Sequence, residues 1–505
     1  MFRIVVLAFV VAAGFFCTGC NDDDVFSSSV NSRLTFEADT LSFDTVWTGV
    51  TSSTRRIRIY NNNKDGVRIT SVALGSGGTS GFQMNVDGQS GSVVNDVEML
   101  GNDSLFVFAQ VRIAEDGEDL PHLVRDSIVF TLESGVQQKL ILEAWGQNVN
   151  VLRGVTIDID THFDSSRPYL VYDSLVVTKG ATLFLDAGTT VCFHNGAYLG
   201  VHGKIKAKGT LEQPVTLRGD RTDKMLWYLP YDRMDGGWGG VTLYGESFGN
   251  EFNNVDIHGG LWGINCRLPE SGTDEDVLAK QKLLLLNSVI TNVRGNALDL
   301  NYVQSLVANC EISNAGGYCV RLSGGKNEFV HTTIAQFYPW SAGHKEALLF
   351  TNVVDSVAYP LEQADFKNCL ITGRTTDEIV GQTLEGYDVA FNASFRYCLI
   401  NIKLTGEEGE AVTKMFETCV NETADFHNKS LNLTDEDKEK IIWGKKNFVL
   451  VGGDYYYYDF SLDSLSRARG IGLDEYTDDF PIDRRGIQRP SSNADAGCYQ
   501  YKSEE

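Results

Sequence analysis

Hydrolysis of a glycosidic bond needs two carboxyls facing one linkage, one to protonate the leaving oxygen and one to activate water. Asp256 and Glu311 stand at matching places of a repeating segment. Their alternation with apolar neighbours puts them on the solvent side of their strands, as solvated residues. Elimination chemistry instead needs acids that hold Ca²⁺ and a strand-borne Arg or Lys as base. Arg321 and Asp299 fall on equivalent strands of neighbouring repeats and are expected to form a surface ion pair. The acidic loop "ESGTDEDV" (270–277) lacks the ligand spacing of an EF-hand and reads as a solvated loop, so Ca²⁺ has no defined site. His258 and His331 lie near corners of the repeat and His344 lies in an insertion, with no Ser or Cys nucleophile motif beside them. They are expected to be structural. No catalytic residue, metal ligand set or cofactor is assigned, and no phosphate loop or nucleotide fingerprint occurs.

Binding chemistry has stronger candidates. Sugar rings stack on exposed aromatic faces flanked by polar groups. The segment "MLWYLPYDRMDGGWGG" (225–240) offers Trp227, Tyr228 and Tyr231, and "QFYPWSAGHKE" (336–346) offers Tyr338 and Trp340. These five are the candidate ligand-binding residues. Trp238 sits in a Gly-rich phrase of the repeat and is expected to pack. Both segments lengthen the repeat, and insertions in repeat proteins often gather on a functional face. The competing reading is that these rings merely fasten the insertions to the body of the protein.

The element that must position them is the repeat itself. "FNNVDIHG", "LLNSVITN", "VANCEISN", "VHTTIAQ", "FKNCLITG" and "FRYCLIN" align on Ile257, Ile290, Ile312, Ile334, Ile371 and Ile400. The gaps are 33, 22, 22, 37 and 29 residues. A rung of about 22 residues with insertions in three gaps accounts for all five. A second strand follows in each rung: "WGINC", "ALDL", "CVRL", "ALLF" and "DVAF". One rung cannot bury its own inward side chains. Stacked rungs can, with Ile on Ile and Cys on Cys in ladders and backbone hydrogen bonds running between rungs.

The rest of the chain frames this solenoid. Of 505 residues 50 are Gly and 9 are Pro, the balance of a turn-rich β protein. A net charge of −24 repels nucleic acid, which is excluded as a partner. Residues 32–148 alternate polar and apolar with period two, as in "RRIRIYNNN" (55–63) and "SLFVFAQVRI" (104–113), and predict an antiparallel β-sandwich. The parallel β-helix is placed at 151–420, and a helical insertion with a C-terminal cap at 421–505. Within the latter, "NLTDEDKEKIIWG" (432–444) reads as a short helix. Of the ten cysteines, Cys17 and Cys20 lie in the N-terminal segment and none of the other eight forms a CxxC pair, so several of these are read as compact core residues at equivalent repeat positions, with stacked bridges as the alternative.

At the N-terminus, "MFRIVVLAFVVAAGFFCTGC" has one basic residue and an apolar stretch too short to span a bilayer. It ends in Thr18-Gly19-Cys20, and "NDDDVFSSSV" follows. This resembles a bacterial lipoprotein signal over 1–19, lipidation at Cys20 and an acidic/Ser tether over 20–31. Acids directly behind the Cys resemble the surface-export signal of Bacteroidetes lipoproteins. The resemblance implies an outer-membrane, surface-exposed protein anchored in the membrane through Cys20.

The stretch "LVVTKGATLFLDAGTTVCFHNGAYLGVHGKIKAKGTLEQPVTLRG" (175–219) closely resembles the opening rungs of right-handed parallel β-helices of the pectate-lyase-like superfamily. Residues 32–148 more loosely resemble immunoglobulin-like modules of the Hydin type, which implies a spacer. The tail phrase Asp483, Gly486, Arg489, Pro490, Asp495, Gly497, Cys498 and Tyr499 resembles the closing segment of secreted bacterial β-helices and implies a structural cap. Superfamily members include polysaccharide lyases and hydrolases, but the adjacent-Asp and Arg-Ile-Lys motifs of the polygalacturonases have no counterpart in these rungs. The expected function is therefore non-catalytic binding or adhesion, to a polysaccharide or another surface protein. A lyase or glycoside hydrolase with an unrecognised site comes second, and a structural envelope protein third.

Overall fold

The computed structural model describes residues 25–268, 275–383, 389–404, 409–423, 434–436, 444–453 and 455–503. The signal segment, Cys20, most of the 270–277 loop and most of the expected helix at 432–444 lie outside the described residues. The chain divides into two compact units, Met1–Asn148 and Val149–Glu505.

The first unit is a sandwich of two five-stranded sheets. One runs Thr35–Phe36, Arg55–Asn61, Asp103–Val111, Phe82–Val86, Gln89–Gly91. The other runs Thr40–Trp47, Gln137–Gln147, His122–Leu132, Val67–Leu74, Val93–Met99. Pairing is antiparallel except between Thr40–Trp47 and Gln137–Gln147. Alternation does the work here. In Arg55–Asn61, Ile57 and Ile59 point inward to meet Phe82, Val107, Phe130 and Leu142, while the arginines between them face solvent.

The second unit is a parallel β-helix. Nine parallel strands form one face, and the other long sheet, of 18 strands, contains two interleaved runs that start together at Tyr169–Val177. The six isoleucines pair in strict register, Ile257 to Ile290, Ile312, Ile334, Ile371 and Ile400, and all are fully buried. On the nine-stranded face Phe252, Leu285, Val307, Phe329, Phe366 and Phe395 form a second ladder. Its last three rings stack at centroid spacings of 4.8 and 4.6 Å.

Rung corners are set by local chemistry. Asn254, Asn287, Asn309 and Asn368 adopt left-handed backbone, which Asn tolerates better than most residues. Their amides link successive rungs, as in Asn309 Nδ2 to Asn287 Oδ1 at 3.2 Å. Directly after the left-handed residues Asn287, Asn309, His331, Asn368 and Tyr397 comes a small polar side chain that donates to the carbonyl two residues back: Ser288, Cys310, Thr332, Cys369 and Cys398. Thiol and hydroxyl are interchangeable in this role, which explains the cysteines at equivalent places. All eight cysteines of the described residues are free.

Two expectations are corrected by the structure. The fifth second strand is Ile379–Gln382, which pairs with Leu348–Thr351. The "DVAF" segment leads instead into Phe391–Arg396 of the nine-stranded face. Glu311 is not solvated. Its carboxylate is buried and accepts the Tyr499 hydroxyl at 2.5 Å. The reason is that the C-terminal tail lies along the side of the solenoid. It crosses successive rungs through Arg489 Nη2 to Asn309 Oδ1 (2.7 Å), Cys498 N to Thr333 Oγ1 (3.1 Å) and Gly497 N to the Asn368 carbonyl (2.8 Å). Outward-facing Leu370 and Leu399 pack with Phe448, Phe460 and Leu462 of the tail in a separate apolar cluster. Outward leucines on two rungs demand such a cover.

Candidate functional site

The lateral tail brings a third segment to the two insertions. Tyr455 lies 5.4 Å from Trp227 and 5.3 Å from Tyr228, centroid to centroid. Tyr456 lies 4.6 Å from Trp340. The Arg233 guanidinium stands 5.1 Å over the Tyr457 ring and donates to the Tyr455 carbonyl at 3.3 Å. The result is one aromatic surface built from 225–240, 336–346 and 455–458. Trp227 is 76 % exposed and Tyr455, Tyr456 and Tyr457 are between 39 and 50 % exposed, so their ring faces are available to a ligand. The patch is anchored beneath by Tyr458, whose hydroxyl donates to the Phe337 carbonyl at 3.1 Å.

The first insertion also roofs a cavity of about 340 Å³, at the lower end of the size range of small-molecule sites. Gly219, Gly236, Gly237 and Gly259 line it. The left-handed φ of Gly236 (+70°) and Gly259 (+73°) requires glycine there, and a Cβ on Gly236 would collide with Arg294. The walls are charged. His258 donates to Asp256 and to Asp232, both at 2.9 Å, and Asp232 also pairs with Arg218 at 2.8 Å. Asp235 pairs with Arg294 at 3.1 Å and accepts the Tyr338 hydroxyl. Asp220 meets His194 at 2.7 Å, and Arg221 clasps Asp223 through two contacts of 2.6 and 2.7 Å while lying 3.9 Å over the Tyr231 ring.

These pairings set the protonation states. Burial opposes a charge on His258, but Asp256 and Asp232 outweigh it and raise the imidazole to about 10. Burial would likewise raise Asp232 and Asp256, yet His258, with Arg218 beside Asp232, holds both below the usual carboxylate range. At neutral pH the cluster is an imidazolium between two carboxylates. It has no proton to take up or release in the range where a general acid or base works. Among the described residues no group of three or more His, Cys, Asp or Glu is arranged to hold a metal ion.

The five candidate residues separate into two sets. Trp227 and Tyr228 lie on the exposed aromatic surface, Trp340 is half-buried at its edge, and Tyr231 lines the cavity. Tyr338 does not present a face. It is 4 % exposed, and burial, reinforced by Asp235, pushes its hydroxyl up, so it orients Asp235 rather than stacking on a ligand. Trp238 is fully buried, stacked on Phe193 at 4.4 Å. Arg321 and Asp299 form an ion pair at 2.8 Å on adjacent rungs, but not at the surface as expected, for Asp299 is buried.

Sequence reasoning missed Tyr455–Tyr457, Arg233 and the Asp232–His258–Asp256 cluster. The run of four tyrosines at 455–458 was the one signal available for the first of these. No family model matches the chain, and no curated protein matches it. Several solved structures share limited likeness. A family 123 glycoside hydrolase from Clostridium perfringens is 11 % identical over 23 % of this chain, with a TM-score of 0.17, and the alignment spans about a quarter (26 %) of that enzyme. The PapD-like domain 7 of human CEP192 is 12 % identical over 23 % of this chain and 85 % of its own, with a TM-score of 0.16. BcpA, the major pilin subunit of Bacillus cereus, is 11 % identical over 25 % of this chain and 42 % of its own, with a TM-score of 0.15.

Proposed function

We propose that this is a cell-surface glycan-binding protein, non-catalytic, whose β-helix presents the ligand site. One observation carries the reading: aromatic rings from three distant segments, those of Trp227 and Tyr455–Tyr457 exposed, gather beside a cavity whose acids and bases are already paired with one another. Stacking faces with fixed polar neighbours are what a sugar needs. A self-neutralised cluster, with its histidine held charged, argues against acid–base work by those groups. In this reading the chain is a lipoprotein of the Bacteroidetes type with a pectate-lyase-like β-helix, exported to the outer membrane and held there by acyl chains on Cys20. Each buried CH₂ contributes about 0.8 kcal/mol to such an anchor.

The test is a panel of polysaccharides assayed with the full chain for both retention and product formation. Retention without products, weakened by Trp227→Ala, is the expected result. Accumulating unsaturated or reducing ends would replace this reading with a lyase or hydrolase, and absence of both would leave a structural envelope role. Membrane fractionation of Cys20→Ala, which should become soluble, tests the anchor separately.

A further inference from the structure

The sandwich carries a second cavity, of about 610 Å³, larger than the one on the β-helix. It opens on the sheet formed by Gln89–Gly91, Phe82–Val86, Asp103–Val111 and Arg55–Asn61. Its character is the opposite of the first, for none of its lining residues carries a formal charge. The lining therefore offers a charged ligand no ion pair, the cross-strand Arg56 opposite Phe108 lying outside it.

The lining is ordered by strand register. Gln83 stands opposite Gln110, and Asn85 stands between Ser90 on one neighbour and Phe108 on the other. The Gln110 amide donates to Gln83 Oε1 at 2.7 Å, and the Asn85 amide donates to Ser90 Oγ at 2.9 Å. Those bonds orient the side chains and leave the Gln83 NH₂, the Gln110 carbonyl and the Asn85 carbonyl free of protein partners among the described residues. Phe108, 39 % exposed, sits beside them on the same face. Donors, acceptors and an aromatic face, without charge, are the recognition chemistry of a neutral sugar.

We propose that the sandwich is itself a binding module for a neutral oligosaccharide, seated on the Gln83–Gln110 and Asn85–Phe108 pairs. An extended peptide would instead add a strand to a sheet edge, where backbone groups are unpaired. Gln89–Gly91 is such an edge and lends Ser90 and Gly91 to the cavity, so edge pairing is the competing occupant; the side-chain amides of Gln83, Gln110 and Asn85 beside the Phe108 ring favour a sugar held by side chains.

Isothermal titration of the full chain with the hexaoses of β-1,4-linked glucose, mannose and galactose tests this. At least one should bind saturably. Gln110→Leu and Phe108→Ala should each raise its Kd about tenfold or more with the melting temperature held, and Trp227→Ala should leave it unchanged. Absence of binding by all three hexaoses overturns the proposal. So does binding that Trp227→Ala abolishes and Gln110→Leu spares, since that would assign the sugar to the β-helix alone. Saturation by an extended peptide, competing with the hexaose and insensitive to Gln110→Leu, would overturn it in favour of edge pairing.

Discussion

In the core of the β-helix, Ile312 pairs with Ile290 across 22 residues, and Ile334 repeats the step on the next rung. On the rim, Arg233 reaches the Tyr455 carbonyl across 222 residues, and nothing repeats. The two regions belong to one unit yet are specified in opposite ways. The core needs only that each rung resemble its neighbour, because parallel register then brings like residues together. The rim needs the whole solenoid to be built first, so that the tail can lie along it and deliver Tyr455–Tyr457 beside Trp227 and Trp340. A core contact is therefore cooperative with every rung, whereas a rim contact adds little to folding and is available for binding.

The largest effect should come from breaking a ladder. Ile312→Asp places an unpaired carboxylate at a fully buried position between Ile290 and Ile334, at a cost of several kcal/mol. Denaturant titration should show the β-helix transition shifted far down or lost, with the sandwich transition retained. A transition that moves by less than about 1 kcal/mol would mean that the ladder is not the stabilising element argued here.

Cutting the tail from the side of the solenoid should cost less. Tyr499→Phe removes the one hydroxyl that the buried Glu311 carboxylate accepts at 2.5 Å from the tail. Leaving a buried acceptor unsatisfied costs about 1–3 kcal/mol. The same variant should loosen the tail, raise the accessibility of the Tyr455–Tyr457 backbone to hydrogen exchange, and weaken glycan retention without touching the rim. Exchange at those positions unchanged from wild type would break the link drawn between tail docking and rim assembly.

A smaller, pH-dependent effect belongs to the cavity. His258 has its folded pKa raised to about 10, above the ordinary 6.5. Its contribution is thus fully present below about pH 6.5 and is lost as pH rises through 10. The difference in melting temperature between wild type and His258→Asn should therefore be largest near pH 6 and shrink by a few degrees toward pH 10. Lys282 complicates the absolute curve, since burial lowers its ammonium to about 8, so the variant difference is the quantity to measure. A difference that grows with pH would contradict the paired imidazolium.

The smallest effect on stability is expected on the rim, together with the clearest effect on binding. Tyr455, Tyr456 and Tyr457 changed together to Ala, or Trp227→Ala alone, should move stability by no more than about 0.5 kcal/mol per residue. Retention on the polysaccharide that the wild type binds should fall about tenfold or more. A drop of several degrees in melting temperature with retention intact would make these rings packing residues and remove the distinction between core and rim.

Some of this was legible in the residues alone. The six isoleucines, the Asn before each of several rungs and the Ser, Thr or Cys after it recur at short, countable spacing. Period two in 32–148 marks one buried face per strand. Such patterns are local, and burial and hydrogen bonding act on them within a rung or between neighbours, so a sequence can state them. Even there an insertion hid one strand: "DVAF" has the right composition for the second face, but Ile379–Gln382 holds the register.

Only the tertiary structure decided which outward residues stay wet. Glu311 and Leu370 read as alternate positions of ordinary strands and are covered because a segment from 78 to 188 residues later lies on them. Tyr338 and Trp340 stand two apart in one insertion, and one became the buried partner of Asp235 while the other stayed half-buried against Tyr456. Asp232, Asp256 and His258 look like three solvated residues until the insertion folds back on its own rung and brings them within 2.9 Å. Local periodicity determines which side of a strand a residue faces. What lies on that side depends on where distant chain comes to rest, and that is set by the shape of the finished solenoid.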